Sequence, residues 1–199
     1  MKIRFLLLTV IAFLLFSPNP AVSETIGATA GKFNGWVLDF DNDANNEQIG
    51  SWTSSRNLVL TRPRDNGAIP DGAKWAIKNA GSGKWVITAT AGKFNGWVLD
   101  FDNDANNEQI GTWKSSRNLI ITRPRNGAVP DGAKWAIKKV GNGKWVIVAT
   151  AGNFNGWVLD FDNDANNEQI GKWASSRNLV LTRPRDNGAI PDGAKWLRR

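Results

Sequence analysis

Apolar and polar positions alternate along this chain in short runs, and the runs recur three times in the same order. In Lys74-Trp75-Ala76-Ile77-Lys78, Trp75 and Ile77 fall on one face. The turn Gly81-Ser82-Gly83 separates that run from Lys84-Trp85-Val86-Ile87-Thr88-Ala89-Thr90, where Trp85 and Ile87 share a face. A two-residue period of this kind predicts strands. Phe94 is followed by Asn95-Gly96, a pair suited to a type I′ hairpin turn, because both of its central positions need positive φ. The run Trp97 to Phe101 then returns. Trp97, Leu99 and Phe101 share one face, and Val98 and Asp100 the other. A polar stretch leads to a fourth strand, Asn118 to Thr122, which Pro124 ends. No segment shows a sustained 3.6-residue apolar period, although Ala105 to Ser116 has room for one helical turn. The pattern predicts an all-β protein with four strands per unit.

The unit is copied. Phe33 to Gly50, Phe94 to Gly111 and Phe154 to Gly171 all read FNGWVLDFDNDANNEQIG. The lost residue between copies falls where RPRDNGAIPDG (62–72) becomes RPRNGAVPDG (123–132), which marks that segment as a surface connection. The chain enters partway through a unit. Thr25 to Ala30 occupies the place of Val86 to Ala91, and Ala194-Lys195-Trp196-Leu197 supplies the strand that the start lacks. The last strand is therefore expected to complete the first unit and close a ring. Three four-stranded units of about sixty residues, closed in a ring, describe a three-fold pseudo-symmetric β-trefoil-like domain. A β-prism is the alternative, and three blades are too few for a typical propeller. The repeats fall at approximately 24–84, 85–144 and 145–199 of a single domain, 24–199.

The first 23 residues read as a secretory signal. Lys2 and Arg4 form its basic start, Phe5 to Phe16 its apolar centre, and Ala21-Val22-Ser23 a small-residue cleavage site. The apolar centre is too short to span a bilayer. The expected destination is outside the cell or in a periplasm. The formal net charge of +7 falls to about +5 once the leader is removed, enough for weak attraction to anionic partners. The cations are scattered and interleaved with acidic loops, so the charge does not predict a nucleic-acid surface. No later stretch predicts stable membrane insertion. The chain has no cysteine and no histidine. Disulfides, histidine triads, thiol nucleophiles and the usual zinc sites are all excluded.

The run Asp39-Phe40-Asp41-Asn42-Asp43-Ala44-Asn45-Asn46-Glu47 concentrates the candidate chemistry. Its alternate members Asp39, Asp41, Asp43, Asn45 and Glu47, and the equivalent positions in the other two copies, are oxygen donors of the kind calcium takes. No other cofactor is expected. Against an EF-hand loop, Ala44 stands where glycine is needed and Gly50 where glutamate is needed. The same carboxylates and amides, Asp41, Asp102 and Asp162 among them, are also suited to sugar hydroxyls. The third possibility is a solvated turn whose side chains bond their own backbone. Sugar recognition further needs an aromatic plate, and Trp52, between Gly50 and a Ser-rich turn, is the best placed, with Trp113 and Trp173 as its copies. Trp36, Trp75 and Trp85 have alternation partners and are expected in the core. Arg56, Arg62 and Arg64 suit either anionic groups or ion pairs with Asp65 and the acidic loop.

Val37-Leu38-Asp39-Phe40, then Ile49 and Trp52, then Trp75-Ala76-Ile77, resembles the ricin-B-type β-trefoil lectins. The resemblance implies that Asp39, Asp100 and Asp160 grip sugar hydroxyls while Trp52, Trp113 and Trp173 stack on the ring. The chain departs from that pattern at Gly50 and at Ala73-Lys74-Trp75, where the family carries glutamine. Asn57-Leu58-Val59-Leu60 resembles the mannose strand of bulb lectins at Asn57 and Val59, which implies sugar contacts from Asn57, Asn118 and Asn178. A tripled module with no catalytic histidine or cysteine predicts a non-enzymatic, multivalent lectin for glycans on cell surfaces or glycoproteins. The rivals are a protease inhibitor or toxin-like interaction protein on the same fold, and a basic, Trp-rich membrane-active protein. Oligomeric state is not legible.

Overall fold

The computed structural model describes residues 23–40, 57–101, 118–161 and 178–199. The leader, apart from Ser23, lies outside them. Within them every strand is antiparallel to its partners and there is no α-helix. The first unit holds β1 (Ile26–Ala28), β2 (Val37–Asp39), β3 (Asn57–Leu58), β4 (Leu60–Arg62) and β5 (Trp75–Gly81). The second holds β6 (Lys84–Ala89), β7 (Val98–Asp100), β8 (Asn118–Leu119), β9 (Ile121–Arg123) and β10 (Trp135–Gly141). The third holds β11 (Lys144–Ala149), β12 (Val158–Asp160), β13 (Asn178–Leu179), β14 (Leu181–Arg183) and β15 (Trp196–Arg198). The four strands expected per unit are present, but one of them is split. The single residue between the halves, Val59, Ile120 or Val180, is fully buried in the central core, where Val59 N–H donates 3.1 Å to Ile120 O and Ile120 N–H 3.4 Å to Val180 O.

The long strands make a barrel. Its pairings run β1–β15–β11–β10–β6–β5. The Glu24–Trp75 bridge returns from β5 to the residues just before β1 and closes the ring. The short strands make the cap. Each unit has one hairpin, β2–β4, β7–β9 or β12–β14. The split halves then reach across to the next unit as β3–β9, β8–β14 and β13–β4. This cyclic handover from first to second to third and back to first is the pseudo-threefold of a β-trefoil.

One bulky pair per unit fills the centre. Trp75, Trp135 and Trp196 are inaccessible to solvent. Each indole Nε1 donates 2.9 Å to a strand carbonyl, of Leu38, Leu99 and Leu159 respectively. Phe40, Phe101 and Phe161 meet these indoles edge-on, with centroids 5.0, 5.0 and 5.1 Å apart. An indole buries more apolar area than any other side chain while finding a partner for its one N–H, so it suits the middle of a small barrel. Trp36 only packs against the edge of this core, and Trp85 stands half-buried outside it, a lesser burial than their alternation predicts.

The Asn-Gly turn takes a different form from the one expected. Asn95 has φ −53° and ψ 126°, and Gly96 has φ +86°. With Trp97 N–H donating 2.9 Å to Phe94 O, this is a type II turn. The turn follows a 3-10 helix (Gly92–Phe94) rather than a strand. The strand-twist match that selects type I′ is therefore not in play. Phe94 and Trp97 stack edge-on at 4.9 Å across it.

The ring is sealed by residues that depart from the repeat. Glu24 stands where the other units have Trp85 and Trp145, and Arg198 where they have Ile77 and Ile137. Arg198 forms a two-point ion pair with Glu24, which raises its guanidinium pKa further above its ordinary value. Its guanidinium also lies 5.7 Å from the Trp85 ring and 5.8 Å from the Trp145 ring. Arg198→Ala is expected to cost about 1 kcal/mol, since the pair is partly exposed. Urea unfolding followed by tryptophan emission checks this. An unchanged midpoint and unchanged emission would show that the seam does not depend on it.

Candidate functional site

Each identical eighteen-residue block starts in the described barrel-cap junction and runs past it. Its described part ends at Phe40, Phe101 or Phe161, and the chain resumes at Asn57, Asn118 or Asn178. These two points are tied together in the same way in all three units. The Asn57 side-chain amide donates to Phe40 O, Asn118 to Phe101 O, and Asn178 to Phe161 O. Asn57 also reaches Leu58 O at 3.2 Å. The three asparagines are buried. They clamp together the two points at which the described chain stops and resumes, with their amide N–H groups engaged by backbone carbonyls.

The strand aspartates are buried too. Asp39 and Asp100 are 0 % exposed and Asp160 is 1 %. Asp39 Oδ2 lies 3.8 Å from Arg62 Nε, and Asp100 Oδ2 lies 3.8 Å from Arg123 Nη1. Each carboxylate is also pressed against the glycine of a 3-10 helix, one of Asp71–Ala73, Asp131–Ala133 and Asp192–Ala194. A β-carbon on Gly72 would sit 2.7 Å from Asp39 Oδ1, and one on Gly132 or Gly193 would sit 2.6 Å from Asp100 or Asp160. The next residue completes the lock, because Phe40 N–H donates 2.8 Å to Gly72 O, with 2.9 Å in the other two units. The sequence reading offered these aspartates to sugar hydroxyls or calcium. The structure places all three in the interior against a 3-10 helix glycine, with an arginine beside Asp39 and Asp100. Among the described residues no cluster of three or more metal-ligating side chains occurs.

Asp41, Asp43, Asn45, Glu47, Trp52 and Arg56 lie outside the described residues, as do Asp102, Trp113, Asp162, Trp173 and the remaining copies. Of the arginines that are described, Arg62 pairs with exposed Asp65 at 2.9 Å, and Arg183 with Asp186 at the same distance. The ion-pair reading of Arg62 is therefore the one the structure has. The deletion removes the matching aspartate beside Arg123. Sequence reasoning assigned nothing to Pro70-Asp71-Gly72, yet Asp71, Asp131 and Asp192 pair with Lys74, Lys134 and Lys195 at 2.6–2.7 Å. The hydrogen bond from Lys134 holds the Asp131 carboxyl below its ordinary pKa, and Lys195 does the same for Asp192. The i, i+3 spacing of acid and lysine was the available signal.

No protein-family model matches the chain. No curated protein matches it either. Solved structures do, at the level of fold. A designed three-fold symmetric protein, ThreeFoil, superposes with a TM-score of 0.58 at 20% identity, covering 88% of this chain and 96% of that one. A lectin of Polyporus squamosus, solved with a human-type influenza-binding epitope, gives 0.52 at 14% identity and covers 88% of this chain. This chain spans about half (48%) of that lectin's length. A Caenorhabditis elegans protein of unknown function gives 0.59 at 12% identity, with 92% and 98% covered. The protein thus has a β-trefoil-like fold, a class whose solved members include lectins and toxins.

Proposed function

We propose that this protein is a secreted, non-catalytic carbohydrate-binding protein with up to three equivalent sites. One observation carries the reading: three acidic segments of the same sequence, each followed two residues on by an indole (Trp52, Trp113 or Trp173), join the described fold at points clamped alike, by Asn57, Asn118 and Asn178. A cyclic sheet makes those points equivalent by rotation. Segments that differ only at Ser51, Thr112 and Lys172 and at Thr53, Lys114 and Ala174, attached at equivalent points, supply up to three related sites, and weak single sites then combine on a glycan-coated partner. With the strand aspartates buried, sugar contacts fall to the loop residues beyond them. Asp41, Asp102 and Asp162 are the hydrogen-bonding groups, and Trp52, Trp113 and Trp173 the plates. The lectin among the structural neighbours shows that the fold is compatible with glycan binding.

The test is a broad glycan array probed with and without a calcium chelator. Binding that survives in the protein but is lost in the triple Trp52→Ala, Trp113→Ala, Trp173→Ala variant is the expected result. An array with no signal in either condition would overturn the reading. Loss of signal on chelation alone would assign calcium to the acidic loop.

A further inference from the structure

A recess lies in the second unit, apart from the acidic segments. It lies between the β5–β6 hairpin, the Asn95-Gly96 turn and the connection before β10, with a cavity of about 680 Å³. That is within the ~300–1,000 Å³ typical of small-ligand sites. Three cations line it: Lys78 and Arg125, both exposed, and half-buried Lys134. Lys134 is matched by Asp131 at 2.7 Å. Among the described residues, Lys78 and Arg125 have no carboxylate within ion-pair distance. No carboxylate and no aromatic ring lines the recess, its floor being small and aliphatic, with Ala76, Val86 and Val129.

The equivalent positions differ between units. In the first unit the same place shrinks to about 250 Å³, because Leu197 stands where Ala76 is. In the third, the larger Ile190 stands where the second unit has Val129. The connection in the second unit is also the one that lacks the aspartate, Asp65 or Asp186, found in the others. The second-unit groove is thus open and cation-rimmed, with Asp131 matched to Lys134.

From this we infer that the second-unit groove binds the sulfate or carboxylate group of an acidic saccharide, with Lys78 and Arg125 as the contacts. Arginine's fork fits either anion at two points, and lysine adds a point charge. Thr88, Asn79 and Asn95 rim the groove with hydroxyl and amide groups that match sugar hydroxyls. Without an aromatic plate, a neutral sugar has little to hold it there. The inference rests on the carbohydrate-binding reading but uses residues that the three loops do not.

The experiment is an NMR titration of the chain with a sulfated disaccharide, its unsulfated parent, inorganic sulfate and an acidic peptide. Amide shifts at Lys78, Ala128 and Val129 with the sulfated sugar are expected. They should weaken at least tenfold in K78A/R125A and on raising salt, because the contacts are screened. The unsulfated parent should leave these amides unmoved. Sulfate or the peptide binding as tightly as the sulfated sugar would overturn the inference, and so would no shift with any probe. Array binding through the loops should be unaltered in K78A/R125A, so the two readings fail separately.

Discussion

Trp135→Ala is expected to lower stability by about 3–5 kcal/mol, the range for emptying an aromatic core site. The indole is inaccessible, holds Leu99 O at 2.9 Å and meets Phe101 edge-on at 5.0 Å. Its removal therefore opens a cavity, strands a buried carbonyl and loses an aromatic pair at once. Trp135→Phe separates these causes. It keeps most of the volume and loses the N–H, so about 1–3 kcal/mol is expected. Since a domain of this size carries only about 5–15 kcal/mol in total, the alanine variant stands near the edge of folding. Urea unfolding monitored by circular dichroism measures both. A phenylalanine variant as unstable as the alanine variant would mean that the hydrogen bond, not packing, dominates.

Asp100→Ala should cost about 2–3 kcal/mol. Removing one member of a buried, bonded charge set leaves Arg123 facing a vacated interior, and the partial exposure of Arg123 tempers the loss. Gly132→Ala attacks the same junction from the other side. Its new β-carbon would fall 2.6 Å from Asp100 Oδ1, so about 1–3 kcal/mol is expected from strain. The two must be coupled. In the Asp100→Ala background the clash is gone, and Gly132→Ala should then be close to neutral. A double-mutant cycle reads this as an interaction energy. Additive costs would show that the carboxylate does not press on that glycine.

These two junctions also mark where the sequence was readable and where it was not. The period of Trp75, Trp135 and Trp196 within clean alternation made the barrel strands and the ring closure legible, down to Trp196 completing the first unit. The burial of Asp100 was not legible, for a physical reason. Alternation places it with Val98 on the face away from the core, a face that in an isolated hairpin meets water. The connection 124–134 folds back over that face, buries Val98 with Val86 and Ala133, and brings Gly132 onto the carboxylate. A contact thirty residues away in sequence leaves no mark on local periodicity. The split at Ile120 was illegible for a similar reason, because it exists to hand pairing from one unit to the next. By contrast, the Glu24–Arg198 seam could have been found by aligning the units. Both residues are charged where the repeat has Trp and Ile.

The three repeated acidic and indole-bearing segments carry the functional proposal, and their number is what distinguishes it from single-site rivals. Native mass spectrometry of the chain with an array-selected oligosaccharide counts the sites directly. Up to three ligands should add in successive weak steps, with one fewer for each of Trp52→Ala, Trp113→Ala and Trp173→Ala. A maximum of one bound ligand, unaffected by those substitutions, would contradict the account.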